Sequence, residues 1–220
     1  GETTQTIYAD TAGTYNVTVG NGTPVSNNNS LSFDGVDDYV DLNNISVLEN
    51  LSNNNYSIHV KLKLDNLLST GCDGSTSNYI SVLRNESNYN LLIKDNKVCS
   101  EILDNGNYRE GLGTTQLITG KWYDIICIWD GQNFNYTINS INDQVNMSLT
   151  SYNSGFNSNL LVGGGGPYCQ PLDGNIDYVS IWDRALTQSE IQQYMSSPPT
   201  GNEAGLEGYW NFNEGSGTTV

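Results

Sequence analysis

The stretch GNIDYVSIWDRALTQSEI, residues 174–191, contains the strongest structural signals of the chain. Its part Asp177–Trp182 alternates apolar and polar residues and is rich in β-branched and aromatic side chains, which predicts a half-buried strand. A helix start follows, because Thr187 is a good N-cap and Glu190, three residues later, completes a capping box. The helical spacing of apolar residues then continues until Pro198 ends it.

This strand, short turn and capped helix resembles the C-terminal signature of laminin-G-like domains of the concanavalin A-like superfamily. Residues 30–40 (SLSFDGVDDYV) resemble the early strand and turn of that family, and residues 120–131 (GKWYDIICIWDG) resemble its central strand. The three stretches together span most of the chain, from about residue 26 to residue 195. The resemblance implies an all-β, antiparallel two-sheet jelly-roll sandwich with one short C-terminal helix.

The pattern of short strands agrees with this fold. Residues Tyr56–Leu64 alternate strictly, with Tyr56, Ile58, Val60, Leu62 and Leu64 on one face and His59, Lys61 and Lys63 on the other. About a dozen such segments, separated by Gly- and Asn-rich turns, predict an antiparallel sandwich. With 220 residues and 23 Gly, the chain is long enough for one such sandwich and too polar for two full cores.

Two segments leave the domain boundaries open. Residues 1–25 are interpreted as a linker or as the end of an upstream immunoglobulin-like or PKD-like repeat, or they pair with the edge of the sandwich. Residues 26–220 are interpreted as one domain that resembles the laminin-G-like family, and within it residues 205–220 resemble the opening strand of that family. That segment either begins a next repeat or closes this domain as an edge strand. Docking is favoured, because an unpaired strand carrying Trp210 and Phe212 would promote aggregation.

The charge of the chain excludes several classes of partner. A formal charge of −16 with only 8 Lys plus Arg repels a phosphate backbone and an anionic membrane surface. The sequence has no apolar run of about 20 residues and no signal-peptide pattern at its start. We therefore expect no nucleic acid and no membrane insertion, but an extracellular segment, secreted or on a cell surface, attached to neighbouring domains of the same polypeptide.

The four cysteines are widely spaced, without the paired spacing of a zinc or redox site. An even number in a polar all-β chain favours two disulfides and an oxidising compartment. Three pairings are possible. We favour Cys72 with Cys169, both in Gly-rich loop sequence, and Cys99 with Cys127, both on predicted strands of one sheet; four buried free thiols are the alternative.

Two places in the sequence are candidates for a structural calcium ion. The acidic turn with Asp34, Asp37 and Asp38 offers the carboxylate oxygens that Ca²⁺ prefers, although it lacks the EF-hand order and also suits a tight turn with solvated side chains. The resemblance implies a second candidate, Asp177, which is preferred over the three aspartates of the turn, because an Asp in a similar motif helps to hold calcium in related jelly-roll glycoside hydrolases. Asp177 could equally accept hydrogen bonds from loop N–H groups.

An enzyme is not expected. Retaining glycosidases need two carboxylates about 5 to 5.5 Å apart, and the E-x-D-x-x-E array of the laminarinase-type relatives is absent. Glu101, Glu110, Glu190 and Glu207 are scattered in the sequence. His59 is the only histidine and is expected to be solvated or packed on the sheet. Residues 163–166 (GGGG) lack the Lys-Ser/Thr of a phosphate loop and indicate a close backbone approach.

Ligand binding is the remaining function. Carbohydrate sites use aromatic rings against sugar faces and polar side chains on the hydroxyls. The chain has 14 Tyr and 4 Trp. Trp122, Trp182 and Trp210 are predicted to lie in the core. The predicted ligand-binding residues, in or near loops, are Tyr79, Tyr89, Tyr108 and Tyr168. The sequence thus predicts a non-catalytic module that binds glycan or another extracellular ligand; a structural spacer is the alternative, and a polysaccharide-degrading enzyme is less favoured.

Overall fold

Short antiparallel strands make up most of the structure. The computed structural model describes residues 7–8, 30–42, 55–71, 74–85, 89–104, 107–146, 159–164 and 169–213. In chain order, its elements are β1 (Ile7–Tyr8), β2 (Leu31–Asp34), β3 (Val40–Asp41), β4 (Tyr56–Leu64), β5 (Ser69–Thr70), β6 (Thr76–Ser77), β7 (Tyr79–Asn85), β8 (Tyr89–Lys94), β9 (Lys97–Asp104), β10 (Asn107–Leu112), β11 (Trp122–Trp129), β12 (Asn133–Ile138), β13 (Ile141–Asn146), β14 (Leu161–Val162), β15 (Asp173–Trp182), α1 (Gln188–Ser196) and β16 (Leu206–Trp210).

The strands form two main sheets that pack face to face. The larger sheet has the order β1-β2-β15-β4-β11-β12-β13, with β16 paired to β15. The smaller sheet has the order β10-β9-β8-β7-β14-β3, and β5 pairs with β6 separately. The predicted two-sheet jelly-roll sandwich with one C-terminal helix is therefore confirmed. Within the described residues, no helix is long and apolar enough to cross a membrane.

Alternation along each strand builds one core between the sheets. The apolar face predicted for β4 is buried, with Tyr56, Ile58, Val60, Leu62 and Leu64 at most 2% exposed. Side chains of the smaller sheet meet this face, among them Val82, Leu91, Ile93, Val98 and Ile102. Burial of large aliphatic side chains contributes about 1.5–3 kcal/mol each before the entropic cost of ordering them.

The signature strand β15 lies at the centre of the larger sheet. It pairs with β4 along its length, and β2 and β16 occupy successive halves of its other edge. Gly174 begins this pairing with φ +154°, and a Cβ there would lie 2.1 Å from the carbonyl oxygen of Lys63. The glycine that opens the signature is therefore required for the close approach of β4.

The helix begins as the sequence predicts. Thr187 Oγ1 accepts from the N–H of Glu190, and the Glu190 carboxylate accepts from the N–H of Thr187, which is a complete capping box. Ile191 and Tyr194 are the buried helix residues, and they pack on Trp182 and Ile128 of the larger sheet. The helix thus covers part of the larger sheet on the side away from the core.

The ends of the domain lie on this same sheet. Ile7–Tyr8 pairs in parallel with Leu31–Ser32, which is the edge-pairing alternative for the N-terminal segment. Residues Leu206–Trp210 pair antiparallel with β15, and Trp210 and Phe212 are buried. The structure therefore places this C-terminal segment on the domain.

The predicted disulfide between Cys99 and Cys127 is wrong, since both residues are free buried thiols. Cys99 lies in β9 of the smaller sheet and Cys127 in β11 of the larger one. Cys127 Sγ faces the core and lies 3.2 Å from the hydroxyl of Ser100, the residue next to Cys99. Because neighbouring residues in a strand point to opposite faces, Cys99 points away from Cys127. Cys72 lies outside the described residues, so its pairing with Cys169 stays a prediction.

Two further expectations are corrected. Trp122, predicted to be a core residue, is 39% exposed, because Tyr123 and Ile125 take the inward positions of β11. Leu117 and Ile118, two of the apolar residues in the predicted succession of about a dozen short strands, lie instead in irregular structure, where Leu117 is buried and Ile118 is exposed. The sequence also gave no indication of β10, whose residues 107–110 are all exposed.

Candidate functional site

A polar surface covers the side of the smaller sheet that faces away from the core, called the outer face below. Leu91, Ile93, Val98 and Ile102 point into the core, so the residues that alternate with them along β8 and β9 point outward. The pairing register places Asn90 of β8 opposite Glu101 of β9, and Glu101 opposite Glu110 of β10. Tyr79, Arg84 and Lys94 complete this face from β7 and β8.

Tyr79, Lys94 and Glu110 form one connected group on the outer face. The Tyr79 hydroxyl donates to Glu110 Oε1 over 3.0 Å, and Lys94 Nζ forms an ion pair with Glu110 Oε2. The Lys94 ammonium also lies 4.6 Å from the centroid of the Tyr79 ring. Burial lowers the pKa of Lys94, but its bonds to Glu110 and Tyr79 outweigh this and raise the pKa above its usual value. These contacts fix the orientation of the tyrosine ring.

A second polar group lies beside it. Asn90, 1% exposed, donates from Nδ2 to Glu101 Oε2 over 2.9 Å, and Arg84 Nη1 donates to Gln170 Oε1 over 2.9 Å. Burial, followed by the nearby Glu110 carboxylate, raises the pKa of Glu101. The site therefore holds two carboxylates on directly opposed residues of adjacent strands.

Sequence reasoning missed this glutamate pair. Glu101 and Glu110 are nine positions apart and appear scattered in the sequence, but the β9–β10 hairpin brings them together. The signal that could have revealed the pair is the register of that hairpin. The sequence does not predict that register, because the exposed polar residues of β10 show no alternation of apolar side chains.

The predicted ligand-binding tyrosines are only partly brought together. Tyr79 lies on the outer face, as does Tyr108, which is 42% exposed and pairs with Leu103 in the row next to the two glutamates. Tyr89 lies in β8, but its side chain and the whole of Tyr168 are outside the described residues. Two rings and several polar groups therefore share one surface.

The acidic turn after β2 is the second candidate site. Carboxylate oxygens of Asp34, Asp37 and Asp38 lie within 4.8 Å of one another. Asp34 also shapes the turn, since its Oδ1 accepts from the N–H of Val36. Asp173 is paired opposite Asp34, and its pKa is raised by burial and then by the carboxylates of Asp65 and Asp34. Hard oxygen ligands at this spacing fit a divalent cation such as Ca²⁺.

Asp177 is not in this group. Its Oδ2 forms an ion pair with Lys61 Nζ at 2.8 Å. It also lies four residues beyond Asp173 along β15, which corresponds to about 13 Å of extended strand. Of the four aspartates predicted as calcium ligands, the described structure brings three together.

His59 is packed on the sheet. The side chain is 0% exposed, its Nε2 contacts Asp124 and lies 2.9 Å from the Tyr178 hydroxyl, and that hydroxyl donates to Asp124 over 2.9 Å. Burial raises the pKa of Tyr178 well above its usual value. A histidine at this depth is out of reach of a substrate, which favours a structural role.

Gly163, the first residue of the Gly-rich run, is closely packed. A Cβ at Gly163 would lie 2.2 Å from the Phe33 ring, so this position requires glycine for close packing, as the sequence indicates. Gly165 and Gly166 are outside the described residues.

The sequence was compared with known protein families, with curated proteins and with solved structures. Residues 34–192, more than half of the chain, match the family model described as the concanavalin A-like lectin/glucanases superfamily. No curated protein matches the chain.

Several solved structures have a similar fold. A candidate carbohydrate-binding protein from Bacteroides ovatus is 14% identical with a TM-score of 0.57, over 84% of this chain and 51% of that one. The binding domain of a paraclostridial mosquitocidal protein is 14% identical with a TM-score of 0.51, over 66% and 38%. Domains LG4-5 of the mouse laminin alpha1 chain are 13% identical with a TM-score of 0.50, over 71% and 43%. The chain thus spans about half or less of each of these chains, and at such identities the likeness concerns the fold alone.

Proposed function

This chain belongs to the concanavalin A-like lectin/glucanase superfamily, and from that premise we propose that it is a non-catalytic carbohydrate-binding module of a larger secreted or cell-surface protein. Its partners are then glycans or other extracellular ligands, with neighbouring domains of the same polypeptide determining where it is displayed. Support comes from the binding roles named for two of the structurally similar proteins and from the chemistry of the outer face.

The observation that carries the proposal is the group of Tyr79, Glu110 and Lys94. Glu101 lies beside it and is held in place by the buried Asn90. A tyrosine ring presents an apolar face to the C–H side of a sugar. Carboxylates accept hydrogen bonds from vicinal hydroxyls, and such charge-assisted bonds are stronger than those between neutral groups. Since Tyr79 is already held by Glu110 and Lys94, little rotamer entropy is lost when a ligand binds.

Titration with a panel of polysaccharides tests this assignment. We expect saturable binding, with Tyr79→Ala weakening the affinity about tenfold, within the range of aromatic contacts of 0.5–1.5 kcal/mol. Tyr79→Phe keeps the ring but removes the bond to Glu110, and it serves as the matched control with a smaller loss. Binding that is equally strong in Tyr79→Ala would contradict the assignment of the site, and no binding to any polysaccharide would favour a structural spacer.

A hydrolase is the second candidate, because Glu101 and Glu110 form a pair of opposed carboxylates. Glycoside hydrolysis needs one protonated and one ionised carboxyl. Against it, Glu110 is engaged by Lys94 and Tyr79, and Glu101 by Asn90. If the protein released reducing ends from a polysaccharide and Glu101→Gln abolished this release, the protein would be assigned as a hydrolase and not as a non-catalytic binding module.

Calcium is proposed as a structural ligand of the turn formed by Asp34, Asp37 and Asp38. The ion would supply positive charge among these carboxylates, and Asp34, after burial and Asp65, also raises the pKa of the adjacent Asp173. Calcium is then expected to raise the Tm, and Asp37→Asn to reduce that rise. An unchanged Tm on adding EDTA to the calcium-loaded protein would contradict this part of the proposal.

Secretion is proposed together with a disulfide between Cys72 and Cys169. Because Cys99 and Cys127 are free thiols, Cys72 is the one cysteine of the chain left to pair with Cys169. A disulfide there would close a long loop of the sequence and would persist only in an oxidising compartment.

A further inference from the structure

A groove about 370 Å³ in volume lies between α1 and the hairpin of β12 and β13. It is on the side of the larger sheet away from the core, and thus on the opposite side of the sandwich from the outer face. We call it the helix groove. Since Phe134, Tyr136 and Ile138 point into the core, the alternate residues Asn135 and Thr137 of β12 point toward the groove.

The floor of the helix groove is apolar, and its walls carry five uncharged polar side chains and two carboxylates. Ile128, Leu186 and Ile191 form the floor, each at most 7% exposed. The pairing of β12 with β13 places Asn135 opposite Gln144 and Thr137 opposite Asn142, so that hydroxyl and amide groups form two adjacent rows. Gln188, in the first turn of α1, adds a further amide from the other wall.

The two acidic residues at the groove are engaged by neighbouring backbone. Asp130 accepts from the N–H groups of Gln132 and Asn133 at 2.9 and 2.6 Å. Asp143 accepts from the N–H groups of Thr114 and Thr115 at 2.7 and 2.8 Å. These bonds favour the ionised carboxylates and outweigh burial, so that the pKa of each lies below its usual value. Neither carboxylate needs a ligand, and the lining supplies no cation.

We propose that the helix groove is a second binding site, and that it takes a neutral saccharide. A side-chain amide both donates and accepts, which matches the two roles of a sugar hydroxyl. Five uncharged polar side chains converge over an apolar floor that can meet the C–H face of a sugar ring, and the volume lies within the usual range of ligand sites. The charge of −16 disfavours an anionic glycan, and the lining has no cation to attract one.

The consequence is a module with two sites on opposite sides. Because the helix groove shares no residue with the outer face, the two sites bind independently, and one module can bridge two glycan chains. Bridging raises the avidity for a polymer above the affinity of either site for a short oligosaccharide.

The experiment uses the whole chain and titrates it with neutral hexasaccharides of glucose and mannose, followed by calorimetry and by amide chemical shifts. We expect the amides of Gln144 and Gln188 to shift in a saturable way, and the double variant Gln144→Ala/Gln188→Ala to weaken that binding at least tenfold. Gln192→Ala, an exposed glutamine one turn further along α1, is the matched control and should bind as the parent does.

The outcomes separate the two sites. Shifts in the helix groove that persist in Tyr79→Ala support a second site, even if the outer face binds nothing. Absence of shifts in the groove with every hexasaccharide overturns the inference, as does unchanged affinity in the double variant. Tighter binding of a hexauronate than of the neutral sugars overturns the assignment of ligand class.

Discussion

At the scale of single residues, the environment of each carboxylate decides its behaviour more than its type does. Glu101 and Glu203 illustrate the two directions. Burial and the nearby Glu110 raise the pKa of Glu101, whereas hydrogen bonds from Thr200 and Gly201 outweigh burial and lower the pKa of Glu203. When folding raises the pKa of a carboxyl, the folded state loses stability as pH rises through the folded pKa. When folding lowers the pKa, the carboxylate stabilises the folded state above its usual pKa, and this contribution is lost as pH falls through the folded pKa.

Glu101→Gln is therefore expected to raise the Tm at pH 7, because the amide keeps an acceptor for Asn90 without a buried charge. The gain should disappear below pH 4.5, the usual pKa of a glutamate, where the parent is protonated in both states. Thermal melts of the variant and the parent from pH 3.5 to 8 measure this difference in Tm. Glu203→Gln should show the opposite sign, a loss at pH 7, and the same sign for both variants would contradict the explanation.

Gly174→Ala is expected to destabilise the fold by more than about 2 kcal/mol, because its Cβ would collide with the backbone of β4. The control is Gly120→Ala, at φ +74° with no atom within 4 Å of the new Cβ, which should cost about 1 kcal/mol through backbone strain alone. Urea unfolding compares the two. An equal loss would show that close packing at Gly174 is unimportant.

At the scale of elements, helix α1 has its own electrostatic support. Arg184 donates from both Nη atoms to the carboxylate of Glu190, at 2.9 and 2.7 Å. These bonds, together with the capping contacts, lower the pKa of Glu190 to about 2. The ion pair thus connects the loop after β15 to the first turn of the helix. A negative charge in that turn also interacts favourably with the positive end of the helix dipole.

Glu190→Gln should lower stability at pH 7 by about 1 kcal/mol, since the pair is partly exposed and screened by water. The folded pKa is depressed, so the contribution is present above pH 4.5 and is lost as pH falls toward 2. Chemical denaturation at pH 7, 5 and 3 should show the difference from the parent shrinking. A difference independent of pH would assign the effect to packing.

The elements also show what could be predicted from the sequence. β4 has the bounds expected from its alternation, because one face of the strand lies in the core. β11 lies within residues 120–131, the stretch that resembles the central strand of the family. β10 could not be predicted, since it is an edge strand whose residues 107–110 are exposed and carry no apolar period. The outer face includes residues of that strand. The fold could therefore be predicted from the sequence, but the position of Glu110 beside Glu101 could not.

At the scale of the whole molecule, the signature in residues 174–191 identifies the sandwich because it describes the central strand and its covering helix. The predicted disulfide between Cys99 and Cys127 is wrong for a reason that the spacing of the cysteines in the sequence does not reveal. It depended on which sheet each strand joins and on which face each side chain takes, and long-range pairing decides both.

Thiol counting checks the resulting picture. Both free thiols are buried, and burial raises the pKa of Cys99 and of Cys127 to about 12, so the native protein should react slowly with a thiol reagent. Denatured without reductant, it should expose two thiols, and after reduction four. Four thiols before reduction would exclude the disulfide between Cys72 and Cys169.

The meeting of β2 and β16 on one edge of β15 affects how the module would respond to a pulling force. Leu31, where β2 begins, pairs with Ile176, and Trp210, where β16 ends, pairs with Val179. These two positions are three residues apart, or about 10 Å along the strand. Tension transmitted through the start of β2 and the end of β16 would therefore act on β15 at nearly one point. The outer face, beyond the core, would lie outside the loaded path and could hold its ligand while the chain is under strain.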